Sequence, residues 1–167
     1  NSNKDMISLY QEIGFNRLVK ISSAHTNKIQ RYLIDKLLSP AGRNSHHVAL
    51  GLNYQKHANE VNAKQQPFLF VKATKATRQQ DITVSTEELL DYEIELCARP
   101  LTVLDSVPMK DTPAFGLFLC GDFTDRAKLL KNIDVDNLQS GRGFSLAKSN
   151  KNYFPTGPYL VISKNWQ

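Results

Sequence analysis

Two glutamates two positions apart are the first residues of this chain with evident chemistry. Glu93 and Glu95 lie in residues 91–96, where polar and apolar side chains alternate as in a strand. Alternate side chains of a strand point to opposite faces, so we expect both carboxylates on one face, together with Asp91. Parallel carboxylates repel unless positive charge lies between them, and a hard divalent cation commonly supplies it. The pair alone leaves a second interpretation open, the solvated face of a half-buried strand.

Four further side chains accompany this pair. His57 and Glu60 are three positions apart in residues 55–63, which we predict to be a short helix, so both lie on one helix face and suit acid–base chemistry. Asp122 follows an apolar run, and Lys148 lies further along the chain. Each has a structural alternative: an exposed helix histidine for His57, a turn or cap residue for Asp122, and a solvated surface lysine for Lys148.

The elements that must position these residues form a strand-rich pattern. Apolar alternation predicts strands at 46–52, 67–71, 82–84, 90–98 and 115–120, and helical periodicity predicts helices at 6–19, from residue 26, and at 125–131. Two glycines in 139–144 predict a loop there. We therefore predict a β-rich α+β fold, with residues 1–45 as a helical lead-in and 46–167 as the domain that carries the candidate catalytic residues.

Composition excludes several classes of function. The chain has 167 residues, of which 41% are hydrophobic and 22% charged, as in an ordinary globular domain. Its net charge of +5 is spread along the sequence without a dense basic run, which disfavours nucleic-acid binding and suits a small anionic substrate. Cys97 and Cys120 are predicted to be buried, reduced thiols. With no long apolar run, we expect a cytoplasmic protein without membrane contact.

Five segments in order resemble the motifs of the fumarylacetoacetate hydrolase family. Residues 51–60 resemble its G-x-N-Y-x-x-H-x-x-E signature, and residues 91–96 match its D-Y-E-x-E-L segment. The other three resemblances are P-x-x-F-x-K at 67–72, N-D-x-[ST]-x-R at 121–126, and K-S/G…P-x-G-P at 147–158. The resemblance implies a mixed β-sandwich or roll fold and, since dimers are common among relatives, a homodimer.

The family resemblance also implies a metal site. It assigns Mg²⁺ or Mn²⁺ to Glu93, Glu95 and Asp122, an all-oxygen ligand set of the kind that these hard cations prefer. The substrate implied is a 2-oxo acid of the acylpyruvate or diketo type, which chelates such a metal through its carboxylate and the adjacent oxygen. The reaction implied is hydrolytic cleavage of a C–C bond.

The remaining roles follow from the same resemblance. His57 and Glu60 would activate water, and Lys148 would donate to the developing oxyanion. Arg126 has two open interpretations, gripping a substrate carboxylate or forming an ion pair with Asp122 or Asp125. Alternatives for the whole protein are decarboxylation of oxaloacetate, isomerisation or hydration of unsaturated 2-oxo acids, and a non-catalytic interaction module.

The sequence also departs from the family pattern. Residues 97–100 replace the apolar continuation after the second glutamate, which predicts an early end to that strand. Gly121 stands where the family usually has Asn, and Asp125 adds an acidic residue beside the predicted metal site. No counterpart of the family's C-terminal N-G-x-x-x-Q and T-G-T-P segments follows Ile162, so we expect the fold to lack its C-terminal part.

Overall fold

The computed structural model describes residues 12–14, 16–17, 19–20, 37–42, 47–54, 56, 59, 67–79, 89–101 and 115–162. In this part of the chain the strands are β1 (His47–Gly51), β2 (Phe68–Lys72), β3 (Thr77–Arg78), β4 (Leu90–Pro100), β5 (Phe115–Asp125), β6 (Pro155–Thr156) and β7 (Val161–Ile162). Two helices have their full bounds described, α1 (Arg126–Asn132) and α2 (Arg142–Lys148), and a 3₁₀ turn lies at Leu138–Ser140. The described residues 12–14, 16–17 and 19–20 are also helical, in agreement with the helix predicted at 6–19. The predicted strand 82–84 and the helix from residue 26 lie outside the described residues.

The described strands form two sheets. β1 and β2 pair antiparallel, and the larger sheet has the order β3-β6-β5-β4, with β7 also paired to β5. The longest ladder joins β4 to β5 in antiparallel register, from Leu90 opposite Asp125 to Pro100 opposite Phe115. This ladder is the part of the fold that positions the acidic residues, because β4 carries the two glutamates and β5 carries Asp122.

Period-two alternation explains the shorter strands. In β2 the side chains of Phe68, Phe70 and Lys72 are buried, while Leu69 and Val71 between them are exposed. One face of this sheet therefore points inward. Lys72 lies on that face because it is two positions after Phe70. The predicted strands at 46–52 and 67–71 are confirmed to within one residue at each end.

The ends of β4 and β5 differ from the prediction. The expected early end at 97–100 is wrong, since β4 continues to Pro100 because β5 supplies partners as far as Phe115. Pro100 is tolerated because it closes a strand at the edge of the sheet, where a missing N–H costs no interior ladder bond. β5 likewise runs past residue 120 to Asp125, with Gly121 paired to Ile94.

The loop predicted at 139–144 is wrong, because α2 begins inside it at Arg142. Glycines are poor helix formers, and this helix depends on close packing instead. Gly141 precedes it with φ 66°, and a Cβ at Gly143 would lie 2.8 Å from the Asn132 carbonyl oxygen at the end of α1. The two glycines thus allow α2 to approach α1, and α2 carries Lys148 at its last turn. The helix predicted at 125–131 is confirmed as α1.

The two faces of β4 are inverted relative to a simple amphipathic strand. Glu93, Glu95 and Cys97 are half-buried, whereas the apolar side chains that alternate with them are exposed: Tyr92 68%, Ile94 76% and Leu96 59%. The inner face continues into a core cluster of Ala41, Phe118, Cys120 and Phe154. The carboxylates therefore lie on the covered face of the strand, which rules against the solvated-face interpretation.

The prediction of reduced thiols is wrong, because Cys97 and Cys120 form a disulfide. In the β4–β5 register Cys97 faces Phe118 and Glu95 faces Cys120, so the cysteines are diagonal neighbours on the same sheet face. Their Cα atoms are 5.9 Å apart although 23 positions separate them in sequence. Only the pairing of the two strands makes this distance suitable for a disulfide.

None of the helices in the described part of the chain is long and apolar enough to span a membrane.

Removing the disulfide should lower stability. The bond closes a loop with a sequence separation of 23 residues, and a loop of this size corresponds to roughly 3 kcal/mol of unfolding free energy. We expect Cys97→Ala/Cys120→Ala to lose about this amount in urea unfolding followed by circular dichroism. A dithiol reductant should destabilise the wild type and leave the double variant unchanged. Two titratable thiols in the unreduced, denatured wild type would contradict the assignment.

Candidate functional site

Three carboxylates meet on the inner face of the β4–β5 ladder. Glu93 lies directly opposite Asp122, and Glu95 lies opposite Cys120, which makes Glu95 and Asp122 diagonal neighbours. Directly opposed residues of antiparallel strands point to the same face, so all three carboxylates project from one surface. The structure thus brings together the three residues that the sequence predicts as metal ligands.

Two buried lysines supply the positive charge between these carboxylates. Lys148, at the end of α2 and 4% exposed, donates to Asp122 Oδ2 at 2.6 Å and to Glu93 Oε2. Lys72, at the end of β2 and 3% exposed, donates to Asp122 Oδ1. Asp122 therefore holds one ammonium on each carboxylate oxygen. The interpretation of Lys148 as a solvated surface lysine is wrong.

Burial perturbs one of these ammonium groups. Desolvation lowers the pKa of Lys72 from 10.5 to about 8, and the neighbouring Asp122 carboxylate opposes that shift. Lys72 is therefore still mostly protonated at neutral pH. Three carboxylates and two ammonium groups then leave the cluster with one net negative charge.

Glu95 has a different partner from the other two carboxylates. Tyr54, three positions after the end of β1, donates its hydroxyl to Glu95 Oε2 at 2.9 Å. This hydrogen bond and the burial of the phenol raise the pKa of Tyr54 above 10.0, so the hydroxyl keeps its proton at neutral pH. Glu95 is thus held by a neutral donor.

A cavity of about 580 Å³ opens over this face. Its lining includes Tyr54, Lys72, Glu95, Asp122 and the two disulfide cysteines. The volume lies in the range of small-molecule sites, and the lining mixes polar and apolar side chains. Glu95, Asp122 and Lys72 are therefore accessible to a ligand from this cavity, whereas Glu93 and Lys148 are not among its lining residues.

Arg126 pairs with Asp91, which was not predicted as its partner. Its Nε donates to Asp91 Oδ2 at 2.7 Å, and both side chains are more than a third exposed. This contact lowers the pKa of Asp91. Asp125 instead caps α1 by accepting from the Lys128 amide at 3.0 Å. The ion pair predicted with Asp122 or Asp125 is therefore wrong in its partner, and a role for Arg126 in substrate binding stays a prediction.

Two members of the site, Lys72 and Tyr54, were not predicted from the sequence. Lys72 and Tyr54 both fall in segments that resemble family motifs, and the inward register of Lys72 after Phe68 and Phe70 was a usable signal. His57 and Glu60 lie outside the described residues, so their roles stay predictions. The 2-oxo acid ligand and the homodimer also stay predictions.

The donor chemistry of the cluster fits a hard divalent cation. All three acidic side chains offer carboxylate oxygens, and the two ammonium groups already occupy the space where positive charge is needed. Among the described side chains no group of three or more acidic, His or Cys residues is arranged to coordinate a metal as it stands, and the carboxylates contact lysine and tyrosine instead. Metal binding would require Glu93 and Asp122 to turn oxygens away from lysine.

Comparison with solved structures identifies the fold. The chain is similar to an HpcE-like protein from Mycobacterium smegmatis, with a TM-score of 0.60 and 22% identity, covering 94% of this chain and 55% of that chain. A second similar structure is fumarylpyruvate hydrolase from Pseudomonas aeruginosa in complex with Mn²⁺ and pyruvate, with a TM-score of 0.47, 19% identity, and coverage of 79% and 62%. No protein-family model and no curated protein sequence matches the chain.

The first of these similarities bears on the fold alone. It confirms the predicted strand-rich α+β fold of the fumarylacetoacetate hydrolase type, and it supports the family resemblance at that level. The chain spans about half the length of the HpcE-like protein.

Lys72 should give the metal-free protein a distinctive pH dependence. Its folded pKa of about 8 lies below the ordinary 10.5, so between these values the unfolded state binds more protons and stability rises with pH. The complete rise in unfolding free energy is on the order of 3 kcal/mol. We expect urea unfolding to show this rise in the wild type and in a Lys151→Met control but not in Lys72→Met. Parallel pH profiles for all three proteins would contradict it.

The Asp91–Arg126 pair should show a pH dependence of the same sign, but in the acidic range. Because the folded pKa of Asp91 is lowered, its stabilisation is present above the ordinary 3.8 and is lost as pH falls through the folded value. We expect Asp91→Asn to cost about 0.5 kcal/mol at neutral pH, since the pair is largely exposed. The difference in unfolding free energy between this variant and the wild type should disappear at acidic pH. A difference that stays constant until Asp91 is fully protonated would show that its charge plays no part.

Proposed function

We propose that this chain carries the metal site of a divalent-cation-dependent enzyme that acts on a 2-oxo acid. Glu93, Glu95 and Asp122 would hold Mg²⁺ or Mn²⁺, and the reaction would be hydrolytic C–C cleavage of an acylpyruvate or diketo acid. The observation that carries the proposal is the inverted β4 strand, whose carboxylates face inward while Ile94 is 76% exposed.

Inward carboxylates are costly unless they serve a function. Burying ionised groups carries a desolvation penalty that pairing only partly offsets, and apolar replacements of buried ion pairs are often neutral or stabilising. The same strand has apolar side chains available on its outer face, so stability alone would favour the reverse orientation. An acidic inner face that borders a cavity is therefore best explained as a binding site.

Charge supports an anionic substrate. The cluster carries one net negative charge, so a divalent cation would change it to one net positive charge. A 2-oxo carboxylate would then neutralise the site. This balance favours binding of the metal before the anion and explains how two lysines and a metal can share one carboxylate cluster.

The residues of this chain would divide the chemistry among them. The metal, when bound, supplies Lewis-acid stabilisation of negative charge on the 2-oxo oxygen. His57 would take a proton from water, with Glu60 orienting the imidazole. Lys148 donates to two carboxylate oxygens at present. With a cation held by Glu93, Glu95 and Asp122, Lys148 would be the donor to the negative charge that develops on the substrate.

Decarboxylation, isomerisation and hydration of 2-oxo acids would use the same carboxylates. A panel of acylpyruvates, oxaloacetate and unsaturated 2-oxo acids, assayed with Mg²⁺ or Mn²⁺, separates these reactions. A folded, metal-binding protein that turns over none of them would support the interaction module instead, for which the exposed apolar face of Tyr92, Ile94 and Leu96 is the favouring observation.

Mn²⁺ titration calorimetry tests the metal site directly. We expect the wild type to bind Mn²⁺ and to bind it more tightly with oxalate, which resembles the enolate of pyruvate. Glu93→Gln/Glu95→Gln should abolish binding because two of three anionic ligands are lost.

The matched control is Asp134→Asn/Asp136→Asn. It also removes two carboxylates two positions apart, but from the turn after α1. This control should bind as the wild type does. Equal binding by the glutamate variant, or no binding by folded wild type, would refute the metal assignment for this chain.

A further inference from the structure

Tyr54 joins two distant parts of the chain at the carboxylate cluster. Its hydroxyl donates to Glu95 Oε2 at 2.9 Å, across 41 positions of sequence. Tyr54 is 49% exposed, so its ring contributes little to the core. The contacts of its hydroxyl, with the Glu95 side chain and the Leu96 backbone, are both made to β4.

The kind of donor distinguishes Glu95 from its neighbours. Glu93 and Asp122 contact ammonium groups, which neutralise their charge, whereas Tyr54 offers a neutral hydroxyl that orients Glu95 and leaves its negative charge intact. A carboxylate has two oxygens, so Oε2 can accept from tyrosine while the other oxygen remains available as a ligand. Carboxylates that bind metals are commonly held by such hydrogen bonds, and loss of the partner typically weakens metal affinity 10- to 100-fold.

We propose that Tyr54 is a positioning residue for the metal site, fixing Glu95 as a cation ligand. The inference rests on the proposed metal-binding function of Glu93, Glu95 and Asp122. It also gives a role to the segment after β1, since Tyr54 lies three positions before His57 in the sequence. One hydrogen bond thus ties the chain that leads to the predicted base to the strand that carries the predicted ligands.

The test is Mn²⁺ titration calorimetry on Tyr54→Phe, which removes one hydroxyl and keeps the ring. Tyr92→Phe is the matched control, because Tyr92 is also exposed and lies on β4 next to Glu93 but on the opposite face. We expect Tyr54→Phe to bind Mn²⁺ about 10-fold more weakly and Tyr92→Phe to bind as the wild type does. Thermal unfolding should be the same for all three proteins.

A double-mutant cycle with Glu95→Gln separates positioning from a general structural effect. We expect the affinity loss of Tyr54→Phe to disappear when Glu95 is already Gln, since the hydroxyl acts through that carboxylate. Wild-type affinity in Tyr54→Phe, or an equal loss in both backgrounds, would overturn the inference while leaving the proposed function intact. Failure of the wild type to bind Mn²⁺ would overturn both.

Discussion

The gathering of three carboxylates around two buried ammonium groups is the interaction on which the rest of this structure depends. Asp122 accepts from both Lys72 and Lys148, and each lysine is the last residue of its own element, β2 or α2. The cluster therefore fixes where β2 and α2 end relative to the β4–β5 ladder. A buried charge without its partner is strongly destabilising, so the β1–β2 sheet, α2 and the β4–β5 ladder must assemble together.

The inverted orientation of β4 follows from this constraint. Turning the strand over would bury Tyr92, Ile94 and Leu96 but would take Glu93 away from Lys148 and Glu95 away from Tyr54. Exposure of these apolar side chains, 76% for Ile94, accompanies the inward orientation of the carboxylates. A contiguous apolar surface of this kind is unusual for an isolated soluble domain and is a common feature of surfaces that are covered in an assembly.

Three interactions restrain the positions of the carboxylates. The β4–β5 register places Glu93 opposite Asp122, and the Cys97–Cys120 disulfide joins the same two strands. The Tyr54 hydroxyl holds the remaining glutamate, Glu95. Register sets which residues meet, the cross-link limits how far the strands can separate, and the tyrosine selects a side-chain orientation. A binding site needs all three interactions, because its side chains must stay within a fraction of an ångström of the binding geometry.

The sequence by itself determined what depends on local periodicity and on side-chain chemistry. Alternation places Glu93 and Glu95 on one face, and β1, β2 and α1 follow from patterns within a few residues. The tertiary structure alone decided which face is covered, because burial depends on partners from distant segments. Tyr54 and Lys72 contact the carboxylates, and Arg126 pairs with Asp91, because the fold brings distant segments together. Cys97 lies within bonding distance of Cys120 only because their two strands pair. α2 forms despite its glycines for the same reason, since contact with α1 outweighs a local preference.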